Sequence, residues 1–333
     1  MRFDQSIALT GVRTFLGSNL AIRLQNIPGI KLTVLDKHRP SFLKEEVKFY
    51  RIDLTDPKSD QMIYEALENE NVDTFLHMAF FEGKVPASSS YCHEVQVIGT
   101  WYVLNACAKK KIKKFVLSST TEVYGAHPMN PNLIKEDAPL RINESYKYIK
   151  DRVEAEELTK KFAKKCPSTK VLILRKCPVL GDKIKNFTTW YLSGPIIFSV
   201  LGFDPMMQFL HQEDLIDAFL RFTVGHDEIP GGIYNIAGKG ALPLLYITRL
   251  MGRVNIPLFY SWLYAMCMFA RTAGIAPFPP QHIDYIRYTF VADGTKAKDI
   301  VGFVPRYTSR EIVEEFAGYI KLKRAKIKTS QEK

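Results

Sequence analysis

The sequence predicts an α/β fold built on a doubly wound parallel sheet, followed by a smaller carboxy-terminal lobe. Apolar runs of strand length recur along the first 180 residues and alternate with segments of helix length, which is typical of a parallel sheet covered by helices on both faces. A glycine-containing turn follows the first run, where such folds bind nucleotides. With 333 residues, of which 46% are hydrophobic, the chain can bury a core of the required size.

The first predicted unit is a strand at 6–9, a turn at Gly11 and a helix start. The amides at the start of such a helix can bind the pyrophosphate of a dinucleotide. A second predicted strand ends at Asp36, at about the 20-residue spacing where a carboxylate binds ribose hydroxyls, and this favours NAD over NADP. The alternative, a 2′-phosphate, has three candidate ligands: Arg13, Lys37 and Arg39.

The later strands and one helix follow the same alternation. The strands are predicted at 47–54, 72–80, 114–119 and 171–176, with a helix at 100–110. After Gly181 the alternation weakens, and glycine, proline and aromatic residues become common. We therefore expect a cofactor domain, a substrate lobe from which a segment around 205–240 returns to the sheet, and a basic tail, with the boundaries 1–180, 181–320 and 321–333.

A strand, a hydroxyl-rich turn and a helix follow one another in the middle of the chain. The strand ends in four hydroxyl residues at 118–121, and the helix has Asn143 or Ser145 as its predicted N-cap. Tyr146 and Lys150 stand four residues apart, so both lie on one helix face. A fixed positive charge favours a phenolate, which can act as a general acid or base near neutral pH. Taken alone, such a pair is more often an exposed helix face.

Taken together, these motifs resemble the extended short-chain dehydrogenases/reductases, the group of NAD-dependent epimerases and dehydratases. The resemblance covers nearly the whole chain, and TGVRTFLG (10–17) stands where the group has TGxxGxxG. The other matching motifs are IDL (52–54), LHMA (76–79), SSTTEVYG (118–125), YKYIK (146–150), LRKCPVLG (174–181), FLHQEDL (209–215), YNIAG (234–238) and DGTKAKDIVGFVP (293–305). The resemblance implies a Rossmann-type cofactor domain with NAD and a homodimer that pairs the helix around 101–108 with the YxxxK helix.

The resemblance also implies the residues of the site. Thr120, Tyr146 and Lys150 are expected to be catalytic, with Tyr146 exchanging a proton with the substrate and Lys150 binding the nicotinamide ribose. Glu122 is added because resembling dehydratases and decarboxylases have a glutamate two residues after the catalytic threonine; a structural glutamate at a turn is the alternative. No metal is expected. The residues expected at the cofactor are Gly11, Arg13, Thr14, Phe15, Leu16, Gly17, Asp36, Asp53, Leu54, Met78, Ala79, Phe80, Lys150 and Cys177.

Three positions depart from the group's pattern. Thr14 replaces the middle glycine, where its side chain either crowds the pyrophosphate or donates a hydrogen bond to a phosphate oxygen; we favour the donor. Gln96 replaces an asparagine three residues before Gly99. Cys177 and Pro178 stand where many enzymes that act on sugar nucleotides have an asparagine near the substrate phosphates.

Charge and apolar stretches raise the question of partners. The net charge is +11, and residues 321–333 carry six basic side chains against one acidic. A solvated tail is the preferred interpretation, followed by phosphate-rich ligands or an anionic membrane surface. Nucleic acid is not expected, because no binding motif accompanies the charge. Residues 186–203 and 254–270 lack charged side chains, but proline interrupts both, so buried helices or a lid are preferred over peripheral membrane contact.

The compartment follows from cysteine usage and the amino terminus. The five cysteines are spread along the chain without a CxxC pair, and the first residues contain no long apolar run. We therefore expect a cytoplasmic protein.

Three classes of function fit these residues. The first is an epimerase or dehydratase acting on a nucleotide-activated sugar, which Glu122 favours. The second is a dehydrogenase of a steroid-like or lipid alcohol, similar to the 3β-hydroxysteroid dehydrogenases, which Pro178 and the uncharged stretches favour. The third is a non-catalytic protein that senses the cofactor, against which the set of Thr120, Tyr146 and Lys150 speaks. We expect the first.

Overall fold

Strands and helices alternate along the chain in the order that the apolar runs predict. A computed structural model describes residues 5–81, 89–143, 145–225 and 228–331, with side chains to residue 325; the first four residues and the last two of the basic tail lie outside them. The strands are β1 (Gln5–Thr10), β2 (Ile30–Asp36), β3 (Lys48–Arg51), β4 (Thr74–His77), β5 (Lys114–Thr120), β6 (Lys170–Lys176), β7 (Val179–Leu180), β8 (Ile196–Val200), β9 (Met206–Met207), β10 (Leu210–His211), β11 (Gly232–Ile236), β12 (Leu242–Pro243) and β13 (Val254–Leu258).

The helices cover the sheet and build the carboxy-terminal lobe. They are α1 (Phe15–Leu24), α2 (Ser59–Asn69), α3 (Ser89–His93), α4 (Gly99–Lys110), α5 (Lys147–Lys165), α6 (Phe187–Ser193), α7 (Gln212–Thr223), α8 (Leu244–Leu250), α9 (Tyr260–Thr272), α10 (Thr295–Val301) and α11 (Ser309–Gln331). Two 3₁₀ segments, Thr121–Tyr124 and Pro280–Ile286, lie next to the cavities described below.

The central sheet has seven parallel strands in the order β11-β6-β5-β4-β1-β2-β3. The order reverses between β1 and β4, so the loops after these strands diverge and leave a crevice at their carboxyl ends. Strand β11 pairs with β6, which brings the chain back to the sheet after the start of the lobe. The predicted α/β fold with a doubly wound parallel sheet is confirmed.

Both faces of the sheet are buried, which explains why its strands are near-continuous apolar runs rather than alternating ones. One face packs against α1, α7 and α10, where Leu20 and Phe219 belong to the core. The other face packs against α2, α4 and α5, where Val103 and Phe162 belong to the core. The sheet is therefore a fixed platform that holds the ends of β1, β4, β5 and β6 side by side.

The lobe departs from the sequence prediction in two places. Helix α9 has Leu263 as its one buried residue, so the prediction that the uncharged stretch 254–270 forms a buried helix is wrong. Helix α11 runs to Gln331 through most of the basic segment, so the backbone there is helical rather than a frayed tail. Among the described residues, no helix combines the length and the apolar character needed to cross a bilayer.

Candidate active site

The turn between β1 and α1 can be built only with glycine at two positions. Gly11 has φ +73°, and a Cβ there would lie 2.4 Å from the carbonyl carbon of Met78. A Cβ at Gly17 would lie 2.1 Å from the carbonyl oxygen of Gly11. The turn therefore packs against the end of β4 and leaves the first amides of α1 facing the crevice, as a pyrophosphate site requires.

Thr14 is the N-cap of α1. Its hydroxyl oxygen accepts a hydrogen bond from the Gly17 amide at 3.0 Å, and its proton is donated to the Gly11 carbonyl at 2.9 Å. In this conformation the hydroxyl proton is used within the turn, and donation to a phosphate oxygen stays a prediction. The Thr14 side chain fixes the turn from within.

A cavity of about 360 Å³ extends from this turn to the end of β2. Burial raises the pKa of Asp36, against the opposing effects of the Lys37 amide and the Arg13 charge. Lys37 forms an ion pair with Asp53 at 2.8 Å, and Arg39 donates to the carbonyl groups of Val47 and Lys44. Two of the three cations considered for a 2′-phosphate are therefore engaged elsewhere. The predicted cofactor residues that line this cavity are Gly11, Arg13, Thr14, Asp36, Asp53, Leu54, Ala79 and Phe80.

A second cavity, of about 520 Å³, shares Arg13, Thr14 and Phe80 with the first and continues to the ends of β5 and β6. Together the two cavities form one cleft along the carboxyl edge of the sheet. The predicted residues Phe15, Thr120, Glu122 and Cys177 line the second cavity, and so does Pro178. Leu16 and Met78 are buried in the core beside it.

Tyr148 and Arg152 supply the phenol of this cavity and one of its cations. Arg152 is buried, and one terminal nitrogen of its guanidinium donates to the Phe81 carbonyl at 2.7 Å and to the Tyr148 oxygen at 3.3 Å. The Tyr148 hydroxyl donates to the same carbonyl of Phe81. The guanidinium also stacks 4.3 Å from the ring centre of Phe80. The Phe81 carbonyl and the Phe80 ring therefore hold Tyr148 and Arg152 in the wall of the second cavity.

Tyr146 and Lys150 are not among the described residues that line this cavity, although Tyr146 lies within electrostatic reach of Glu122 and Arg152. Tyr146 is buried, with its oxygen 2.8 Å from Nε2 of His282, and burial, followed by the charge of Glu122, raises its pKa well above the usual value. Lys150 is exposed. The cavity is lined instead by Tyr148 and Arg152, which stand two residues later and therefore point to a different side of α5.

Asn143 and Ser145 do not cap α5. The side-chain oxygen of Asn143 accepts from the amide and the hydroxyl of Ser145, at 3.0 and 2.7 Å, and closes a turn of its own before the helix. The helix begins at Lys147, with Tyr146 in the N-cap position and no side-chain cap. The predicted start was therefore early.

Thr120, Glu122 and Lys176 complete the polar wall of the cavity. The Thr120 oxygen accepts from the Glu122 amide at 3.3 Å, and Lys176 lies opposite Thr120 in the β5–β6 register. Lys176 is buried and donates to the Ser118 hydroxyl at 3.0 Å. Burial raises the pKa of Glu122, and the nearby charges of Arg152 and Lys176 oppose this shift. A carboxyl group, two cations, a hydroxyl and a phenol thus face one space.

The sequence interpretation missed Tyr148, Arg152 and Lys176. Tyr148 and Arg152 have the same four-residue spacing as Tyr146 and Lys150. The feature that distinguishes them in the sequence is Glu156, which continues the series four residues after Arg152. Three polar residues spaced by four mark the side of the helix that faces a buried partner. Nothing in the sequence of β6 indicates that Lys176 faces inward.

A buried ion pair fixes α5 against the sheet below the cavity. Arg175 on β6 binds Glu156 on α5 through Nη2–Oε2 at 2.6 Å and Nε–Oε1 at 3.0 Å. The Ser119 hydroxyl donates to the same carboxylate at 2.5 Å. The Arg175 guanidinium also lies over the ring of Tyr124 at 4.7 Å. Since Ser119 precedes Thr120, this network sets the position of Thr120 relative to Tyr148 and Arg152.

Gln96, another of the three departures, lies close to Tyr148 and Arg152. It is buried, and its side-chain oxygen accepts from the amide of Phe81 at 3.3 Å. Because the carbonyl of Phe81 binds Tyr148 and Arg152, Gln96 helps to fix the pair through the backbone of that residue.

The sequence profile of the NAD dependent epimerase/dehydratase family matches residues 7–237, more than half of the chain. The chain belongs to this family. The match runs from β1 to the residue after β11, so it includes the whole central sheet and every cavity residue named above. This membership makes the protein an enzyme of the NAD-dependent epimerase/dehydratase type by descent.

Known relatives and structures resemble the chain over most of its length. An uncharacterised protein of Mycobacterium tuberculosis is 28% identical over 95% of this chain and 84% of its own length. The dTDP-D-glucose 4,6-dehydratase of Dictyostelium discoideum is 28% identical over 76% of this chain and 63% of its own length. The crystal structure of UDP-glucuronic acid 4-epimerase from Bacillus cereus with UDP-glucuronic acid and NAD has TM-score 0.71 and 19% identity, covering 96% of this chain and 99% of that one. At that identity the structural likeness establishes the fold.

Proposed function

We propose that this protein uses NAD to epimerise or dehydrate a nucleotide-activated sugar. The observation that carries the proposal is the meeting of Thr120, Glu122, Tyr148 and Arg152 in one cavity that opens onto the glycine turn. These are the groups needed to exchange a proton with a sugar hydroxyl and to hold the oxygen from which it leaves.

The residues of the cleft fit NAD. The glycine turn leaves room for a pyrophosphate, and Asp36 stands where a ribose diol is bound. A carboxylate at this place repels a 2′-phosphate, which supports NAD rather than NADP. The solved structures that resemble this chain include complexes with NAD, from Bacillus cereus and Bacillus anthracis.

The charge of the second cavity supports a diphosphate-bearing substrate. Lys183 and Lys185, in the loop after β7, line the cavity together with Arg13, while Glu122 is the carboxylate among its lining residues. Lysine and arginine at such a rim bind phosphate oxygens by charge-assisted hydrogen bonds. Relatives that act on UDP- or dTDP-sugars, by their names, point the same way.

The chain's own groups suggest the following roles. Tyr148 takes the proton of the reacting sugar hydroxyl, and the guanidinium of Arg152 stabilises negative charge on the phenol oxygen. Thr120, oriented by the Glu122 amide, donates a hydrogen bond to the substrate oxygen as it becomes a carbonyl. Bound NAD would supply the acceptor for the hydride of the same carbon and would return that hydride before product release, so that the overall reaction has no net oxidation. Glu122, with its pKa raised by burial, can supply or remove the second proton that a dehydration requires.

The proposal is tested on the purified full chain. After denaturation, the released cofactor is identified by mass spectrometry, and the native protein is incubated with UDP-glucuronic acid, UDP-glucose and dTDP-glucose, with products separated by chromatography. We expect NAD in the supernatant and conversion of at least one sugar nucleotide. Turnover of a sterol-type alcohol with net formation of NADH, and none of any sugar nucleotide, would contradict the proposal and favour the lipid alcohol dehydrogenase. Bound NAD with no turnover of either substrate class would favour the cofactor-sensing protein.

The sugar-nucleotide subsite has its own test. Lys183→Ala is expected to raise the KM for a sugar nucleotide about tenfold, because one charge-assisted hydrogen bond to phosphate contributes about 1.5 kcal/mol. Lys58→Ala, at an exposed lysine before α2, is the matched control and should leave KM unchanged. An unchanged KM in both variants would remove the loop after β7 from the substrate site.

A further inference from the structure

Helix α9 presents an apolar stripe to solvent. Phe259, Trp262, Met266 and Phe269 recur at helical spacing, and their exposed fractions are 58%, 67%, 38% and 72%. Ile275, just after the helix, is 70% exposed. Single exposed apolar residues are ordinary, but a contiguous row of large ones marks a surface that has a partner.

The stripe belongs to a helix that is anchored yet stands out from the lobe. Leu263 packs into the cluster formed with β8 and the 3₁₀ segment Pro280–Ile286, and the opposite side of the helix is uncovered. Phe259 and Trp262 contact each other edge to face at 5.6 Å between ring centres. The outward rings are therefore ordered by the helix rather than by contact with the rest of the chain.

The segment that carries the stripe has basic but no acidic side chains, and the nearby Asp284 lies against Tyr260 on the anchored side of α9. Between residues 239 and 283 the sequence contains no aspartate or glutamate, and its four charged residues are Lys239, Arg249, Arg253 and Arg271. Arg249 is exposed, and Arg271 lies in the last turn of α9. Arg253 precedes β13, close to Arg324 of α11, whose charge adds to burial in lowering the pKa of Arg253. Arg271 thus lies at the carboxyl end of the apolar row, and the segment before α9 carries further basic side chains.

We propose that α9 docks the protein on the surface of an anionic phospholipid bilayer. Tryptophan, phenylalanine and methionine side chains would enter the boundary between headgroups and acyl chains, and the basic residues would contact lipid phosphates. A second copy of this chain is a poorer occupant, because a symmetric contact through α9 would bring the same basic residues together. The residues of the stripe do not line the catalytic cavity, so the proposal is independent of the reaction.

The docked helix would lie close to the active site along the chain. Helix α9 leads through Phe278 to the segment Pro280–Ile286, where the Tyr285 hydroxyl donates to the Glu122 carbonyl at 2.8 Å. Phe278 packs in one cluster with Tyr148. One short segment, 278–286, would therefore join the membrane-bound helix to Tyr148 and to Glu122 of the cavity.

Vesicle sedimentation tests the docking surface. The full chain is mixed with vesicles of phosphatidylcholine alone or with phosphatidylglycerol, and Trp262→Ser/Phe269→Ser is compared with Met129→Ser/Leu133→Ser, which removes two side chains exposed to 72% and 56% on a different surface. We expect binding to the anionic vesicles that weakens with salt. The α9 variant should bind with an affinity reduced by about tenfold or more, since each aromatic ring buried in the bilayer contributes to partitioning. The control variant should bind like the wild type.

Tryptophan fluorescence gives a second readout. Brominated lipid in the vesicles should quench a component of the emission that Trp262→Phe removes, although this variant still binds. Equal sedimentation of the α9 variant and wild type would overturn the proposal, as would absence of binding to anionic vesicles. A concentration-dependent dimer in light scattering that the α9 variant abolishes, with no vesicle binding, would overturn it in favour of a second copy.

Discussion

Replacing Glu156 by glutamine should destabilise the protein more than any exposed charge substitution on α5. Both partners of the Arg175–Glu156 pair are essentially inaccessible, with side-chain exposures of 1% and 0%. Glutamine keeps the shape of glutamate but carries no charge, and its NH₂ group cannot accept the hydrogen bonds that the carboxylate receives from Arg175 and Ser119. The variant therefore leaves a buried charge without its counterion.

The expected cost follows from the burial. Breaking a fully buried ion pair on one side costs about 3–5 kcal/mol, because the remaining charge is desolvated without compensation. With a urea m-value of about 3 kcal/mol/M or somewhat more for a chain of this size, the midpoint of unfolding should fall by about 1 M. Glu157→Gln is the matched control: its carboxylate is exposed and its partner Lys160 is only partly buried, so the cost should stay below about 1 kcal/mol.

The assay is urea unfolding followed by circular dichroism and by tryptophan fluorescence, whose transitions should coincide. The double variant Glu156→Leu/Arg175→Met should regain most of the lost stability, since it removes both charges together. A cost for Glu156→Gln below about 1 kcal/mol, or equal to that of Glu157→Gln, would refute the argument that this pair holds α5 on the sheet.

Four further outcomes follow from the structure. Thr14→Ala should lower the free energy of unfolding by about 1 kcal/mol, measured in urea, whereas Thr14→Ser should retain the cap. The raised pKa of Glu122 means that its ionised form destabilises the fold. This penalty is absent below the pKa of the unfolded state and grows as pH rises through the pKa of the folded state. Glu122→Gln should therefore raise Tm at pH 8 but not at pH 4. Calorimetry should show tighter binding of NAD than of NADP, and Asp36→Asn should narrow the difference. Light scattering should show a dimer, and Trp101→Arg on the exposed side of α4 should dissociate it.

The sequence predicted the sheet, because its signals are local, and most of the residues predicted at the cofactor line one cleft. A buried strand followed by Gly11 and, further on, Asp36 can be recognised without knowing what packs against them. Which tyrosine lines the second cavity could not be predicted this way. Tyr146–Lys150 and Tyr148–Arg152 have the same spacing, and the pair that lines the cavity lies on the side of α5 that Glu156 holds against Arg175.

The lobe was predicted least well, for a related reason. An apolar segment without charges is expected to be buried, yet the described chain covers α9 on one side only, where Leu263 is buried and Tyr260, Tyr264 and Cys267 are partly buried. Propensity and hydrophobicity report what a segment is able to bury, whereas exposure depends on the neighbours that the fold provides. Thr14 shows the same limit on a smaller scale, since its role as a cap required the geometry of the turn.

The central claim is that α5 presents Tyr148, and not Tyr146, to the substrate. The most direct measurement compares kcat for Tyr148→Phe and Tyr146→Phe on the sugar nucleotide that the wild type converts, with the NAD content of each variant checked after denaturation. We expect Tyr148→Phe to lower kcat by about 100-fold or more with cofactor still bound, and Tyr146→Phe to retain most of the activity. Loss of kcat in Tyr146→Phe with an active Tyr148→Phe would contradict the account.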